Sequence, residues 1–256
     1  VSGHAVTLAV CLIFRIRKRE LPSVSFNEET LHMAGKFLFV AISPFGLTFS
    51  PNSTLILVNK SAVYYGGNTA VSCYASISYI SSVVLLLLQG VSDGSQPLIS
   101  LSYGKKEIRQ AASYRNMAYR FALAVSAACM LVIFFSREHA AALFGASREV
   151  TENVGRIFPV FIAGYLFVGI SRITTSYFYA TEKNRFASIL LYGEPLSLLL
   201  FLPVFPRLWG NEGPWMAIPL SQICMMLLSL LFIRNQNRGT GKKTEETAEG
   251  SYAGIS

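Results

Sequence analysis

Charge is what this chain has least of. Only 14% of its 256 residues are Asp, Glu, Lys or Arg, while 52% are hydrophobic and the mean hydropathy is +0.44. Soluble domains carry nearer a quarter charged residues, so a water-exposed globule is excluded by composition. Three histidines are scattered and form no metal-ligand cluster. The four cysteines (Cys11, Cys73, Cys129 and Cys224) lie inside apolar runs without a shared ligand spacing, and read as small hydrophobes. There is no phosphate-cradling Gly-x-x-x-x-Gly-Lys loop, no His-Glu-x-x-His and no nucleophile elbow at a strand-to-helix turn, which argues against ATP hydrolysis and protease chemistry. The chain is therefore expected not to be an enzyme and to need no cofactor. It begins at Val1 without Met or the pattern of a signal peptide, and reads as a portion of a longer polypeptide.

The net charge of +8 suggests nucleic acid until the basic residues are located. They fall in short runs between long apolar segments, which is the pattern of membrane topology, so the lipid bilayer is the predicted partner and nucleic acid is not. Val1 to Phe14 is apolar, but a crossing needs about 20 residues. With Arg15-Ile16-Arg17-Lys18-Arg19 behind it, residues 1–19 read as the end of a truncated crossing and a basic cytoplasmic loop. Six complete spans follow between residues 20 and 233: about 35–63, 72–103, 117–136, 157–180, 186–206 and 214–233. The first is interrupted at Ser43-Pro44 and Ser50-Pro51, and Tyr65-Gly66-Gly67-Asn68 reads as a turn. Residues 105–120 read as a basic amphipathic surface helix, and residues 137–156 as a half-buried interfacial loop. Residues 234–256 read as a polar, disordered tail. One face of this arrangement holds seventeen of the 22 basic residues, so it is predicted to be cytoplasmic and to contain the C-terminus. Trp209 and Trp215 flank the last outer turn as interface anchors.

The stretch from Leu85 to Gly104 departs from apolar filler, admitting Gln89, Asp93 and Gln96 together with Gly90, Gly94 and Pro97. A charge at depth costs a few kcal/mol even on lenient scales, and is usually retained for function. Gly and Pro loosen or kink a membrane helix, so Gly90, Gly94, Pro97 and Pro44 are the expected bending positions. At a rise of 1.5 Å per residue, Asp93 lies about 15 Å, Arg172 about 12 Å and Glu194 about 12 Å from the cytoplasmic ends of their spans. Three ionisable groups on three spans thus share one depth. Two readings stay open: Arg172 neutralises an acid and the cluster glues helices, or Asp93 or Glu194 exchanges protons or faces a cation in a wet cavity. Asn52, with Ser50, Ser53 and Thr54, is a further cavity-lining candidate beside a helix-packing role.

Several of these segments resemble the C-terminal half of the multidrug and toxic compound extrusion (MATE) family. They are Ser43-Pro44-Phe45, Asn59, Tyr65-Gly66-Gly67, Gly90 to Ser100 with its Gln-Pro-Leu-Ile-Ser run, Leu143-Phe144-Gly145, Tyr177 to Ala180, Gly193-Glu194-Pro195 and Gly213 to Pro219. The resemblance implies an all-α polytopic membrane protein in a bacterial plasma membrane, this chain being the second six-helix lobe of a twelve-helix, two-lobe transporter. It implies export of small organic, often cationic and amphipathic compounds against a proton or sodium gradient, with the N-terminal lobe of the same protein as partner. Where one branch of the family carries an acid in its seventh helix, this chain has the amide Asn52. The alternative function is a flippase or exporter of lipid-linked sugars or polysaccharide, which usually shows a more basic cavity than two acids and one Arg.

Overall fold

The computed structural model describes residues 2–18, 28–140, 147–210 and 213–253, with most side chains placed between residues 5 and 236. Six helices carry these residues: α1 (Ser2–Arg17), α2 (Glu28–Gly104), α3 (Ile108–Ala140), α4 (Arg148–Ala180), α5 (Asn184–Trp209) and α6 (Gly213–Ala253). The chain divides into two compact units, Val1–Ala41 and Ile42–Ser256. In the smaller, α1 ends on Arg15 and Arg17, where cations complement the helix dipole. Lys18 Nζ lies 5.1 Å from the centre of the Phe14 ring.

Helix α2 is two limbs that meet at Gly67, whose φ of 62° and ψ of −158° lie where a residue with a Cβ does not go. Were α2 straight, Ser50 and Ser92 would stand about 63 Å apart. Both line one cavity, so the chain reverses at Gly67. The turn expected over residues 65–68 is thus concentrated in one residue. The interruptions expected at Pro44 and Pro51 are absent from the backbone, which stays helical through both. Each proline removes one main-chain N–H without ending the helix, because the neighbouring bonds persist.

Other boundaries also differ from expectation. Residues 108–120 form no separate surface helix; they are the first turns of α3, since nothing from Ile108 to Phe135 breaks a helix. Arg115 there is buried, with its guanidinium over the Tyr177 and Tyr119 rings at 4.9 and 5.9 Å. The loop expected over residues 137–156 gives way to helix at both ends, as α3 reaches Ala140 and α4 begins at Arg148. Ser147 caps α4, its Oγ accepting from the Val150 N–H at 3.4 Å. Residues 141–146, including Leu143-Phe144-Gly145, lie outside the described residues. Helix α6 continues past Arg234 to Ala253.

The turns after α2 and α4 share one construction. Lys106 and Glu182 have φ of 64° and 59°. Around them Glu107 N donates to Ser102 O and Lys183 N to Phe178 O, at 2.9 and 2.8 Å, while Lys106 N and Glu182 N donate to Tyr103 O and Tyr179 O. These are left-handed helix caps built without glycine.

Two apolar clusters form the interior. The first gathers Tyr74, Ile77, Leu88, Phe158, Phe161 and Trp215, and the second Ile99, Tyr177, Phe178, Leu190 and Ile233. Trp215, expected at the interface, is only 5% exposed and packs against Tyr74 and Phe161. A Cβ on Gly213 would overlap the backbone of Phe205 and Pro206, so the start of α6 packs tightly against the end of α5, with Trp215 on its core side. Trp209 remains exposed, against Phe205.

The outside is as apolar as the inside. Leu86, Phe121, Leu131, Val132, Leu200 and, at 80%, Phe135 all point away from the core. Patches of this extent require a hydrocarbon solvent. Helices α3 to α6 each contain a segment long and apolar enough to cross, and the 60 residues from Phe45 to Gly104 supply two more crossings about Gly67. The chain is an integral membrane protein whose larger unit makes six crossings.

Candidate functional site

Polar residues converge where the two apolar clusters meet. Helix spacing explains how. On the second limb of α2, Gln89, Ser92, Asp93 and Gln96 fall at i, i+3, i+4 and i+7, and therefore on one face. On α4 the same rule aligns Val168, Ser171, Arg172, Thr175, Ser176 and Tyr179. These two faces, Leu47, Ser50 and Pro51 from the first limb of α2, Leu190, Leu191 and Glu194 from α5, and Gln222 and Met225 from α6 line a cavity. Its empty space is about 690 Å³ with its open mouth included.

The α2 and α4 faces are stitched together by hydroxyl groups. Ser176 Oγ donates to Ser92 O at 3.2 Å, and Ser92 Oγ donates to Arg172 O at 3.4 Å. Above them Ser81 Oγ and Tyr165 Oη are 2.8 Å apart. Two small-residue contacts set helix distances around the cavity. A Cβ on Gly164 of α4 would overlap Gln222 Oε1 of α6, and one on Gly193 of α5 would meet Met225 Sδ at 2.7 Å. Glycine at these positions lets the helices approach closely, as small residues do in membrane bundles.

Of the five expected site residues, the fold brings four together: Asp93, Gln96, Arg172 and Glu194. Asn52 is exposed and stands outside the lining, although its neighbours Ser50 and Pro51 are part of it. Asp93 does not pair directly with Arg172. Arg172 Nη1 donates to Gln89 Oε1 at 2.5 Å, and Gln89 Nε2 donates to Asp93 Oδ1 at 2.7 Å. A neutral amide therefore stands between the two charges. Among the described residues, one ion pair lies within 4.0 Å, Arg148 with Glu152 at the exposed start of α4. Both acids are nonetheless within electrostatic reach of Arg172. Pro97 adds a further polar group, because it lacks the N–H that the Asp93 carbonyl would otherwise accept. Gly90 and Gly94 flank this point, and a Cβ built on either meets nothing within 4 Å.

Gln89, Gln222 and the hydroxyl face of α4 are the cavity groups that the sequence reading passed over. The run Ser171-Arg172-Ile173-Thr174-Thr175-Ser176-Tyr177-Phe178-Tyr179 contained the signal, as its polar members recur at helical spacing within an apolar span. The arrangement offers two carboxylates, one guanidinium and three amides in a low-dielectric recess. That suits reversible binding of charged, partly apolar solutes or ions. Among the described residues no three His, Cys, Asp or Glu side chains gather as a metal site.

The family model MatE matches residues 44–194, more than half of the chain and every lining segment except that on α6. The multidrug export protein MepA of Staphylococcus haemolyticus (strain JCSC1435) is 24% identical over 250 residues, which cover 94% of this chain and 54% of that protein. MepA of Staphylococcus aureus (strain N315) is 22% identical over 253 residues, covering 98% and 55%. The chain thus spans about half the length of the curated relatives it matches. A crystal structure of MATE in the straight conformation superposes with a TM-score of 0.76 at 14% identity, covering 93% of this chain and 55% of that one. A six-crossing helical lobe of that fold, carrying the family's pattern across residues 44–194, makes this chain a member of the MatE family.

Proposed function

We propose that this chain is the second lobe of a secondary active exporter of organic, often cationic and amphipathic compounds, driven by proton or sodium antiport. The observation that carries the reading is the shared cavity of Asp93, Glu194, Arg172 and Gln96, in a chain similar to proteins named for multidrug export. Apolar walls from Leu47, Val168, Leu190, Leu191 and Met225 would take the lipophilic body of a substrate, and a carboxylate its positive charge. Protonation of that carboxylate, or a sodium ion on it, removes the attraction and releases the substrate. Binding and release thereby become coupled to the gradient. The lobe would rock against the N-terminal lobe, exposing the site to each side in turn, in a bacterial plasma membrane with the C-terminus cytoplasmic. Gly90, Gly94 and Pro97 make the inner half of the second α2 limb the bendable part.

The test uses the full-length transporter reconstituted in vesicles with an imposed pH or sodium gradient. Asp93→Asn and Glu194→Gln keep the shape and hydrogen bonding of each side chain while removing its charge. Gradient-driven dye export should fall at least about tenfold in one of them, the size of effect expected when an interaction worth about 1.4 kcal/mol or more is lost. Unchanged coupled export in both variants removes the acids from the mechanism.

A further inference from the structure

We propose that the outward face of α3 carries a site for the phosphate of an anionic phospholipid, built on Arg115 and Asn116 and flanked by Arg109 and Arg120. The site is separate from the cavity, to which α3 contributes no lining residue. Helix α3 stands at the edge of the lobe, with α4 as its main neighbour. Its apolar run from Met117 to Ser136 is about 20 residues long, which matches the 30 Å or so of a hydrocarbon core. Arg115 and Asn116 directly precede that run and therefore stand at headgroup level, at the membrane surface where α3 begins.

Arg115 is only 5% exposed, and its guanidinium lies over the Tyr177 and Tyr119 rings. Aromatic faces hold a cation without cancelling its charge. Nε and Nη2 both donate to Asn116 Oδ1, at 3.2 and 3.0 Å, while Nη1 is buried and meets no hydrogen-bond partner among the described residues. One neutral oxygen thus fills the two-point fork that a carboxylate or phosphate usually takes. Among the described residues, no acid forms an ion pair within 4.0 Å with Arg109, Arg115 or Arg120. Asn116 itself is exposed, so its amide is a movable stopper on a fixed cation. Helix spacing brings more positive charge to the same spot. Arg109, Ser113, Asn116 and Arg120 are four, three and four residues apart, so they share one face, and all are exposed. Side chains lean toward a helix's N-terminus, so Arg120, one turn deeper, reaches back toward Asn116 and the headgroups. Three cations about one position fit a headgroup of net negative charge, since a zwitterionic one brings a cation of its own. Met117 and Phe121, 58% and 61% exposed beside this face, need acyl chains to cover them, which selects a lipid over free phosphate.

The test titrates the full-length transporter in detergent micelles with phosphatidylglycerol or phosphatidylcholine of identical acyl chains. Bound lipid is counted by native mass spectrometry. Wild type should take its first phosphatidylglycerol about tenfold or more tightly than its first phosphatidylcholine, the worth of one charge-assisted pair. The decisive variants change only the exposed Asn116. Asn116→Asp sets a fixed carboxylate in the Arg115 fork and should weaken phosphatidylglycerol by about tenfold or more. Asn116→Ala removes the competing oxygen and should tighten it. Opposite signs at one exposed position are a result that general damage to the fold would not produce. Arg115→Gln should weaken phosphatidylglycerol as Asn116→Asp does, and Arg115→Lys, which keeps the charge without the fork, should recover part of the affinity. Equal affinity of wild type for the two lipids overturns the proposal, as do Asn116→Asp and Asn116→Ala variants that leave phosphatidylglycerol unaffected or shift it the same way. Displacement of the first phosphatidylglycerol by millimolar glycerol 3-phosphate overturns the assignment to a lipid and makes this a site for free phosphate.

Discussion

Replacing Gly90 and Gly94 together by Ala isolates backbone freedom from packing. Both residues are exposed and lie inside the second limb of α2, and a Cβ at either position meets no atom within 4 Å. The two added methyl groups therefore bring no clash within this lobe. Alanine is the better helix former by about 0.8–1.0 kcal/mol at each position, because glycine has more unfolded freedom to lose. The pair, neighbours one helical turn apart and therefore read as a unit, should stabilise the limb by about 2 kcal/mol. Beside them, Pro97 leaves the Asp93 carbonyl without its usual donor, so the three residues together form a soft section. If that softness serves the motion of the lobe, G90A/G94A should unfold at a higher temperature and export more slowly. Thermal unfolding of the full-length transporter and its initial rate of dye export from vesicles are the two readouts. A higher unfolding temperature with an undiminished rate refutes the bending role. No rise in unfolding temperature refutes the premise that the space beside these glycines is empty.

Two further substitutions probe the frame around the cavity. Gly164→Ala places a Cβ on Gln222 Oε1, so α4 and α6 must separate or Gln222 must move. Because Oε1 is the far end of a flexible side chain, Gln222 gives way at a cost below about 1 kcal/mol, and weaker dye binding with a nearly unchanged unfolding temperature is the expected result. Trp215→Ala empties a site shared with Tyr74 and Phe161 and should cost about 3–5 kcal/mol, read as a loss of thermal stability. A loss below about 1 kcal/mol would return Trp215 to the interfacial role expected from sequence.

Crossings were legible because hydropathy and the placement of basic runs are both consequences of the bilayer, and six spans emerge from either. Asp93, Arg172 and Glu194 line one cavity, and helical rise, which converts sequence position directly into height, is what allowed them to be grouped from sequence. Height alone says nothing about rotation around the helix axis. That is why Asn52 seemed equivalent to Ser50, when two residues, about 200° of rotation, separate a lining residue from an exposed one. Trp215 misled in the same way, since an aromatic near a helix end suits either an interface or a core. Residues 108–120 carried basic side chains in a surface-like rhythm, but Arg115 is accommodated in the interior by the faces of Tyr119 and Tyr177. The Gln89 bridge lay beyond sequence reasoning altogether. An acid and an arginine at equal depth suggest a salt bridge, and an amide inserted between them is decided by side-chain geometry.

The reversal at Gly67 gives α2 a mechanical advantage. The whole change of direction rests on the two torsions of one residue, and the two limbs extend from it as arms, the second reaching the soft section that begins at Gly90. From Gly67 to Leu47 on one arm is about 30 Å, and to Ser92 on the other about 38 Å. A rotation of about 10° at that pivot sweeps the tip of the shorter arm through about 5 Å, roughly one helical turn. Gly67, midway along α2, is thus the pivot of a lever whose far ends are cavity walls, and small torsional work there is delivered, magnified, at Ser50 and Asp93.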